Sequence, residues 1–305
     1  LGWEWIFFVN IPFGALAIIL VLAWVPEMPT HSRHFDLVGI GLSAVGLFLL
    51  VYGIQQGESH SWGPDVWAMI LGGFAVMCAF VWWQSRVRTD PLVPLRIFRD
   101  RNFSLGNTSI ATMGFAVAGT MVPFMFYLQQ VKGLSAISSG LMLLPMAVLA
   151  GLLAPLVGRL SDRFDPRIFT GIGFLSFAVA LLWLWSILDA DTSIPALLAP
   201  ISLMGVANGT VWAPNSSTAM RQLDTRVSGA GSGVYNTTRQ VGAVLGSAGI
   251  GAVMQTRLTA TGDIATSVGD AMLLPAALLL LGGLATMFFR TGPRAAAAPQ
   301  PEHKA

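Results

Sequence analysis

Along this 305-residue chain, polar and charged residues gather in short clusters between long apolar runs. Nine of those runs approach the roughly 20 residues that cross hydrocarbon as an α-helix: about 5–25, 37–55, 66–84, 103–129, 139–159, 168–188, 195–219, 229–254 and 271–289. Most are apolar all round rather than along one stripe, the pattern of a helix surrounded by lipid or by other helices. The pattern predicts an all-α, polytopic membrane protein. A soluble fold would have to bury nine such helices in one domain, and this chain has too little polar surface to cover them.

Composition agrees: 54% of residues are hydrophobic and 10% charged, against roughly 25% charged in soluble domains. The single cysteine, Cys78, excludes a disulfide within the chain and a cysteine-based metal site. It reads as a small apolar residue on a lipid-facing or packed helix. His31, His34, His60 and His303 fall in loops or the tail, and "PTHSRHFD" around the first two reads as a solvated turn rather than a metal site. There is no CxxC, HExxH, Walker A or GxSxG pattern. A membrane-embedded enzyme would need His, Cys or acidic residues converging at one depth, and none do. No cofactor, metal or nucleic-acid partner is implied; the partners expected are the bilayer and a small molecule.

Charge then orients the chain. Lysine and arginine in short loops resist translocation and mark the cytoplasmic side. Alternate loops carry 14 and 2 of the 17 basic residues, the minority being Lys132 and Arg257, while Arg239 lies inside a helix. The bias predicts an external N-terminus and a cytoplasmic C-terminus. Residue 1 is Leu and no basic leader precedes the first span, so the expectation is a chain whose first helices lie upstream. Five segments follow: the helix 1–26, a two-helix hairpin 35–85, an arginine-rich connection 86–102, a six-helix block 103–290 and an Ala/Pro-rich tail 291–305 expected to be disordered. Trp3, Trp5, Trp62, Trp67, Trp82, Trp83, Trp183 and Trp185 sit near predicted helix ends, as interfacial anchors do. Gly205/Gly209, Gly229/Gly233 and Gly242/Gly246 have the spacing that lets helices pack closely.

Two features carry mechanism. The first is "GRLSDRFDPR", 158–167, between two spans. Asp162 can face the positive end of the helix expected to start near Ile168, and Arg159, Arg163 and Arg167 can pair with it, with helix ends or with headgroups. Gly158 allows close backbone approach. The cluster reads either as a latch that holds one orientation of a helix bundle, or as a positive-inside loop with one incidental acid.

"GRLSDRF" resembles the cytoplasmic signature loop of the major facilitator superfamily, Gly-x-Leu-(Ser/Ala)-Asp-Arg-x-Gly-(Arg/Lys)-(Arg/Lys). Gly158, Leu160, Ser161, Asp162, Arg163 and Arg167 match, while Asp165 replaces the glycine and Pro166 the first closing basic residue. "WEWIFFVNIPFG", 3–14, resembles the segment opening the sixth helix of the fourteen-helix drug:proton antiporters, and "NTTRQVGAVLG" resembles their penultimate helix. The resemblance implies a major facilitator fold of which this chain supplies helices six to fourteen: the last helix of the first half, an extra hairpin and the whole second half. It implies export of lipophilic or cationic compounds by alternating access at a midplane site, driven by inward proton flow.

The second feature is the polar residues inside spans, which are costly there and face a cavity or helix interior. Gly205, Asn208, Trp212 and Asn215 share one face of the helix 195–219. Ser232, Tyr235, Arg239, Gly242 and Gly246 share a face of the next, with Asn236 and Gln240 beside it. The two stripes are expected to face each other or a common cavity; for Asn208 and Asn215, interhelical hydrogen bonding and substrate contact are both open. Arg239 lies roughly 15 Å into its helix, and all fifteen acids lie in loops, tails or near predicted helix ends. Its partner is then polar groups and water, or a carboxylate upstream. Met121, Phe124 and Tyr127 complete the candidate cavity, as adaptable apolar surface. The rival readings are a same-fold exporter of a specific metabolite, with Arg239 as an anion contact, and a truncated chain inactive on its own.

Overall fold

The computed structural model describes residues 8–24, 35–57, 59–87 and 90–290. Trp3, Trp5, His31, His34, Arg33 and the 291–305 tail lie outside them. The chain divides into two units at Phe35. The first contains one apolar helix, α1 (Asn10–Trp24).

The second unit begins with a hairpin, α2 (Leu37–Gln56) and α3 (Pro64–Arg86), followed by a short 3₁₀ turn, Leu95–Arg99. Next come α4 (Arg101–Phe126), extended by a π turn through Val131, then α5 (Ala136–Leu141), α6 (Leu144–Ser161), α7 (Pro166–Ile187) and α8 (Ile194–Met220). The unit ends with α9 (Ser228–Thr261), α10 (Ile264–Ala271) and α11 (Leu273–Met287). Seven of these segments are long and apolar enough to cross a membrane, α5–α6 and α10–α11 each counting as one. With α1 and α9, every predicted span is a helix among the described residues.

The differences from expectation have local causes. Pro145 breaks the predicted span 139–159 into α5 and α6, because its ring clashes with the carbonyl four residues back, at Leu141, where α5 ends. Pro275 does the same at Ala271, separating α10 from α11, and the last span starts at Ile264 rather than 271 because Asp263 caps α10, accepting from the Thr266 N–H at 2.7 Å. The helix expected over 229–254 continues to Thr261, at roughly 51 Å far longer than a ~30 Å hydrocarbon core. Arg257, expected in a loop, is therefore on α9, where it pairs with Asp270 at 3.2 Å; Trp185 Nε1 donates to the same carboxylate at 3.2 Å. Gly262 ends α9 in the left-handed conformation, φ 69°, the usual helix stop.

The centre of the second unit lies between α4, α7, α8 and α10–α11, where Ile110, Phe124, Phe174, Phe177, Leu181, Leu197 and Leu279 are fully or nearly fully buried. Helix α6 packs on the outer side of α8, with Gly205 and Gly209 against Met146, Ala150 and Leu153. Helix α9 packs on α4 through backbone: a Cβ on Gly242 would overlap the Ala111 carbonyl, one on Gly246 the Phe115 carbonyl, and one on Gly114 the Arg239 carbonyl. Gly229 and Gly233, by contrast, have open space where a Cβ would go, so that pair brings no helices together here. Asn102 closes the bundle end to end, donating to the Arg290 carbonyl at 2.8 Å and accepting from the Arg290 N–H at 2.7 Å.

The hairpin is tied at one end by Asp36, the N-cap of α2. Its Oδ1 accepts from Gly39 N–H at 2.8 Å and Trp83 Nε1 at 2.9 Å, and its Oδ2 from Gln84 Nε2 at 2.7 Å. Gln84, buried, accepts in turn from the Val93 N–H at 3.0 Å, which fixes the connection toward α4. Trp83 is thus a hydrogen-bond donor within the protein, while Trp62, Trp67, Trp82, Trp183 and Trp185 are exposed, as anchors would be.

Two outcomes follow. Gly246→Val should lower stability by about 1–3 kcal/mol, since it wedges two backbones apart, whereas Gly151→Ala, with open space at its Cβ, should be neutral or stabilising; thermal unfolding in detergent reads both. Desolvation raises the Asp36 pKa, but the bonds from Gly39, Trp83 and Gln84 outweigh it and leave the carboxyl below its usual value. A depressed folded-state pKa means its stabilisation is intact above the ordinary carboxylate range and is lost as pH falls through the folded value. Asp36→Asn, which sets an amide donor against other donors, should cost about 1–3 kcal/mol at pH 7; an unchanged melting temperature would overturn the assignment.

Candidate functional site

Helix α9 is the long helix of the second unit whose hydropathy falls short of a typical span. Its glycine side lies on α4, and its other side is polar and open: Ser232, Asn236, Thr237 and Gln240 are exposed. Arg239 stands at the boundary, half-buried. Its carbonyl faces Gly114 of α4, and its guanidinium carbon lies 5.6 Å from the centroid of the Trp212 ring on α8. Trp212 Nε1 donates to Asn208 Oδ1 at 3.2 Å, and Asn208 Nδ2 to the Met204 carbonyl at 3.0 Å. Asn208 and Trp212, one turn apart on α8, therefore present a ring to the arginine of α9. Among the described residues Arg239 makes no ion pair, and no acid lies at mid-depth of a span. Asn236 Nδ2 returns to its own helix, at the Ser232 carbonyl, 3.0 Å away.

The remaining cavity candidates are placed otherwise. Asn215 is fully buried, with every polar atom engaged: Ser109 Oγ donates to its Oδ1 at 2.8 Å, and its Nδ2 donates to the Tyr235 hydroxyl at 2.8 Å and the Gly106 carbonyl at 3.3 Å. Asn215 and Tyr235 thus tie α4, α8 and α9 together, and of the two readings for Asn215 the geometry takes interhelical bonding. Phe124 and Tyr127 are sealed in the core, ring on ring at 6.4 Å, with the Tyr127 hydroxyl donating to the Asp189 carbonyl at 2.8 Å. Their i, i+3 spacing points them into the bundle, and of that trio only Met121 is exposed. Ser109 was not singled out in the sequence, although Gly106 and Ser109 stand at i, i+3 on a helix that also carries Asn102 and Thr112.

The second cluster lies at the α6–α7 turn. Arg159, Asp162 and Arg163 line an open groove of about 450 Å³. Asp162 also lines a smaller cavity of about 120 Å³ with Ser161, Pro166, Ser217, Thr218 and Arg221. Gly158 has open space where a Cβ would go. Asp162 is the C-cap of α6 and lines the smaller cavity beside Pro166, the first residue of α7, while the N-cap of α7 is Asp165. Asp165 accepts from the Arg167 N–H at 2.9 Å and lies 3.7 Å from the Arg167 guanidinium. The sequence held that signal, since Asp165-Pro166 is an N-cap followed by proline at the first helical position. The departure from the signature glycine therefore has a local function, and Asp162, unpaired among the described ion pairs, stays facing Arg221's cavity. Thr218 Oγ1, buried there, has no hydrogen-bond partner.

A family model described as Major Facilitator Superfamily matches residues 1–247. The chain is 42% identical, over 99% of its length and 57% of the relative's, to an uncharacterized MFS-type transporter of Mycobacterium tuberculosis. It is 33% identical to the multidrug resistance protein Stp of Mycobacterium tuberculosis, over 85% of this chain and 48% of that protein. To the tetracenomycin C resistance and export protein of Streptomyces glaucescens it is 30% identical, over 86% and 48% respectively. The chain spans about half the length of these relatives. With its apolar, membrane-length helices and a matching family model over most of its residues, the chain is an integral membrane protein that belongs to the major facilitator superfamily, a family of transporters rather than enzymes.

Proposed function

We propose that this chain is the second-half portion, helices six to fourteen, of a fourteen-helix proton-coupled exporter of lipophilic or cationic compounds, working by alternating access in the plasma membrane. The observation that carries the reading is α9: a helix packed along α4 on its glycine side while its other side carries Ser232, Asn236, Gln240 and the edge of Arg239. Polar groups at membrane depth face water or a solute path rather than lipid. Asn208, Trp212, Asn236, Arg239 and Gln240 form the proposed substrate face, with Met121 as an outlying apolar contact, and the N-terminal helices of the whole protein would supply the facing half. Asn215, Tyr235, Phe124 and Tyr127 hold the helices that carry it. Relatives named for multidrug resistance and for tetracenomycin C export support the substrate class, and their length, about twice the matched portion, supports the reading of a portion of a longer carrier. The proton gradient is the energy source in this reading, and the loop 158–167 is the latch, with Asp162 and Arg221 around one cavity.

The positive charge of Arg239 favours a second reading, export of a specific anionic metabolite. Proton-driven efflux by the whole protein, assayed with cationic dyes and with anionic metabolites, separates the two. Arg239→Ala should lower efflux at least about tenfold if the charge serves transport, the order of one lost charged interaction; undiminished efflux with unchanged pH dependence removes Arg239 from the site. In the proposed orientation the 57–63 loop is external and Asp224 cytoplasmic. In a Cys78→Ala background, Ser59→Cys should react with an impermeant maleimide in intact cells, and Asp224→Cys only after permeabilisation; the reverse pattern would invert the topology.

A further inference from the structure

The first and last helices of the six-helix block meet at one rim of the bundle, and the Asn102–Arg290 backbone clasp holds them there. The clasp brings two arginine side chains to the same edge. Arg101, on the first residue of α4, places its guanidinium carbon 5.9 Å from the centroid of the Phe288 ring, which is 58% exposed. Arg290, just past α11, uses only its backbone in the clasp and leaves its side chain exposed. Neither makes an ion pair among the described residues. The adjoining acid, Asp100, is engaged as the N-cap of α4, where its carboxylate accepts from the Phe103 N–H at 2.7 Å, and it forms no ion pair with either arginine among the described residues.

The preceding 3₁₀ turn, Leu95–Arg99, widens the same rim. Ile97 is its buried peg, Phe98 is exposed and meets Phe103 edge-on at 5.4 Å, and Arg96 and Arg99 are exposed on either side. Exposed aromatic rings beside unpaired arginines, at the level where spanning helices end, fit one environment. The rings sit among acyl chains and glycerol backbones, and the guanidiniums reach the phosphates. A guanidinium presents paired N–H donors that match phosphate oxygens bidentately.

We propose that the rim formed by Arg101, Arg290 and Phe288, flanked by Arg96, Phe98 and Arg99, is a binding site for the headgroup of an anionic phospholipid. The lipid phosphate bridges the two arginines held by the clasp, and so joins the first and last helices of the block through their side chains as Asn102 joins them through the backbone. The site rests on the membrane placement of these helices and not on the transport reading, and it is defined whichever face of the membrane the rim occupies.

Native mass spectrometry of the 305-residue chain in detergent, titrated with phosphatidylglycerol or phosphatidylcholine, tests it. The anionic lipid should be retained and the zwitterionic one released first. Arg101→Gln with Arg290→Gln should weaken phosphatidylglycerol retention about 30-fold, from two arginine contacts, while Arg101→Lys with Arg290→Lys keeps most of it. Lys132→Gln, distant in the chain and bonded to the Ala190 carbonyl, should change nothing. The side chains replaced take no part in the clasp, so melting without lipid should match the parent; if the double variant does not fold, each single Gln variant should show about a fivefold loss. Equal retention of the two lipids, undiminished retention in the Gln variants, or displacement by millimolar glycerol phosphate, which marks a free-phosphate site, would each overturn the proposal. None of these outcomes bears on efflux, so the two readings fail separately.

Discussion

The backbone contact between α4 and α9 is the constraint on which the second unit depends. Inside a bilayer, apolar side chains gain nothing by leaving lipid for one another, so helices are held by close packing and by hydrogen bonds between them. Glycines at 114, 242 and 246 let the two backbones approach until any Cβ would overlap a carbonyl. That contact rests mainly on backbone, with Ile250 of α9 seated against Gly119 of α4, and it uses one side of α9, which frees the other side to be polar. It also fixes Arg239: its carbonyl is pinned against Gly114, so its side chain leaves sideways and lies over Trp212 of α8. The Asn215 knot with Ser109, Tyr235 and the Gly106 carbonyl locks the same three helices one level away. Hydrogen bonds of this kind hold register, which packing between smooth glycine faces does not.

Most of the fold was legible in the sequence, because crossing hydrocarbon imposes a length and a composition that few other constraints imitate. Among the described residues every predicted span is a helix, and the misses are confined to places where hydropathy carries no information. Pro145 and Pro275 interrupt runs that remain apolar on both sides. The last turns of α9, "QTRLTAT", look like a loop because they are polar, yet no helix breaker appears before Gly262. The cap at Asp165 lies inside the signature motif, where the family pattern has a glycine and predicts a turn rather than a helix start. The Asp36–Trp83–Gln84 tie joins residues 47 and 48 positions apart in the chain, and nothing local announces such a pair.

The candidate site was legible only in part, and helical geometry explains where reading stopped. A period of 3.6 assigns residues to a face but not the face to a neighbour. Asn208, Trp212 and Asn215 share one face of α8, yet Trp212, bonded to Asn208, meets Arg239 while Asn215, a turn further on, is enclosed between α4 and α9. Gly242 and Gly246 were placed with Arg239 on a polar stripe, and they are instead what anchors that stripe's edge. Phe124 and Tyr127 follow from the same limit: aromatic residues on a spanning helix suit a ligand, lipid or core equally well until the partner helices are known.

The position of Arg239 sets conditions on any solute that reaches it. A charge at membrane depth costs several kcal/mol unless compensated, and a ring at cation–π distance returns only about 0.5–2 kcal/mol. Trp212 therefore orients the guanidinium without neutralising it, and the Asn208 carbonyl oxygen, by accepting the Trp212 N–H, keeps the ring from turning away. The rest of the compensation has to come from the open side of α9, where Asn236 and Gln240 are exposed and a hydrated path would supply it. A solute that displaces that water has to replace it with hydrogen-bond acceptors, negative charge or another π face. A purely aliphatic cation offers none of these, so on the proposed reading its positive end would lie away from Arg239. On the proposed reading, an aromatic, oxygen-bearing molecule would satisfy the face on one edge and fill apolar space with the other, which is the chemistry expected of a face built from one arginine, one indole and three amides.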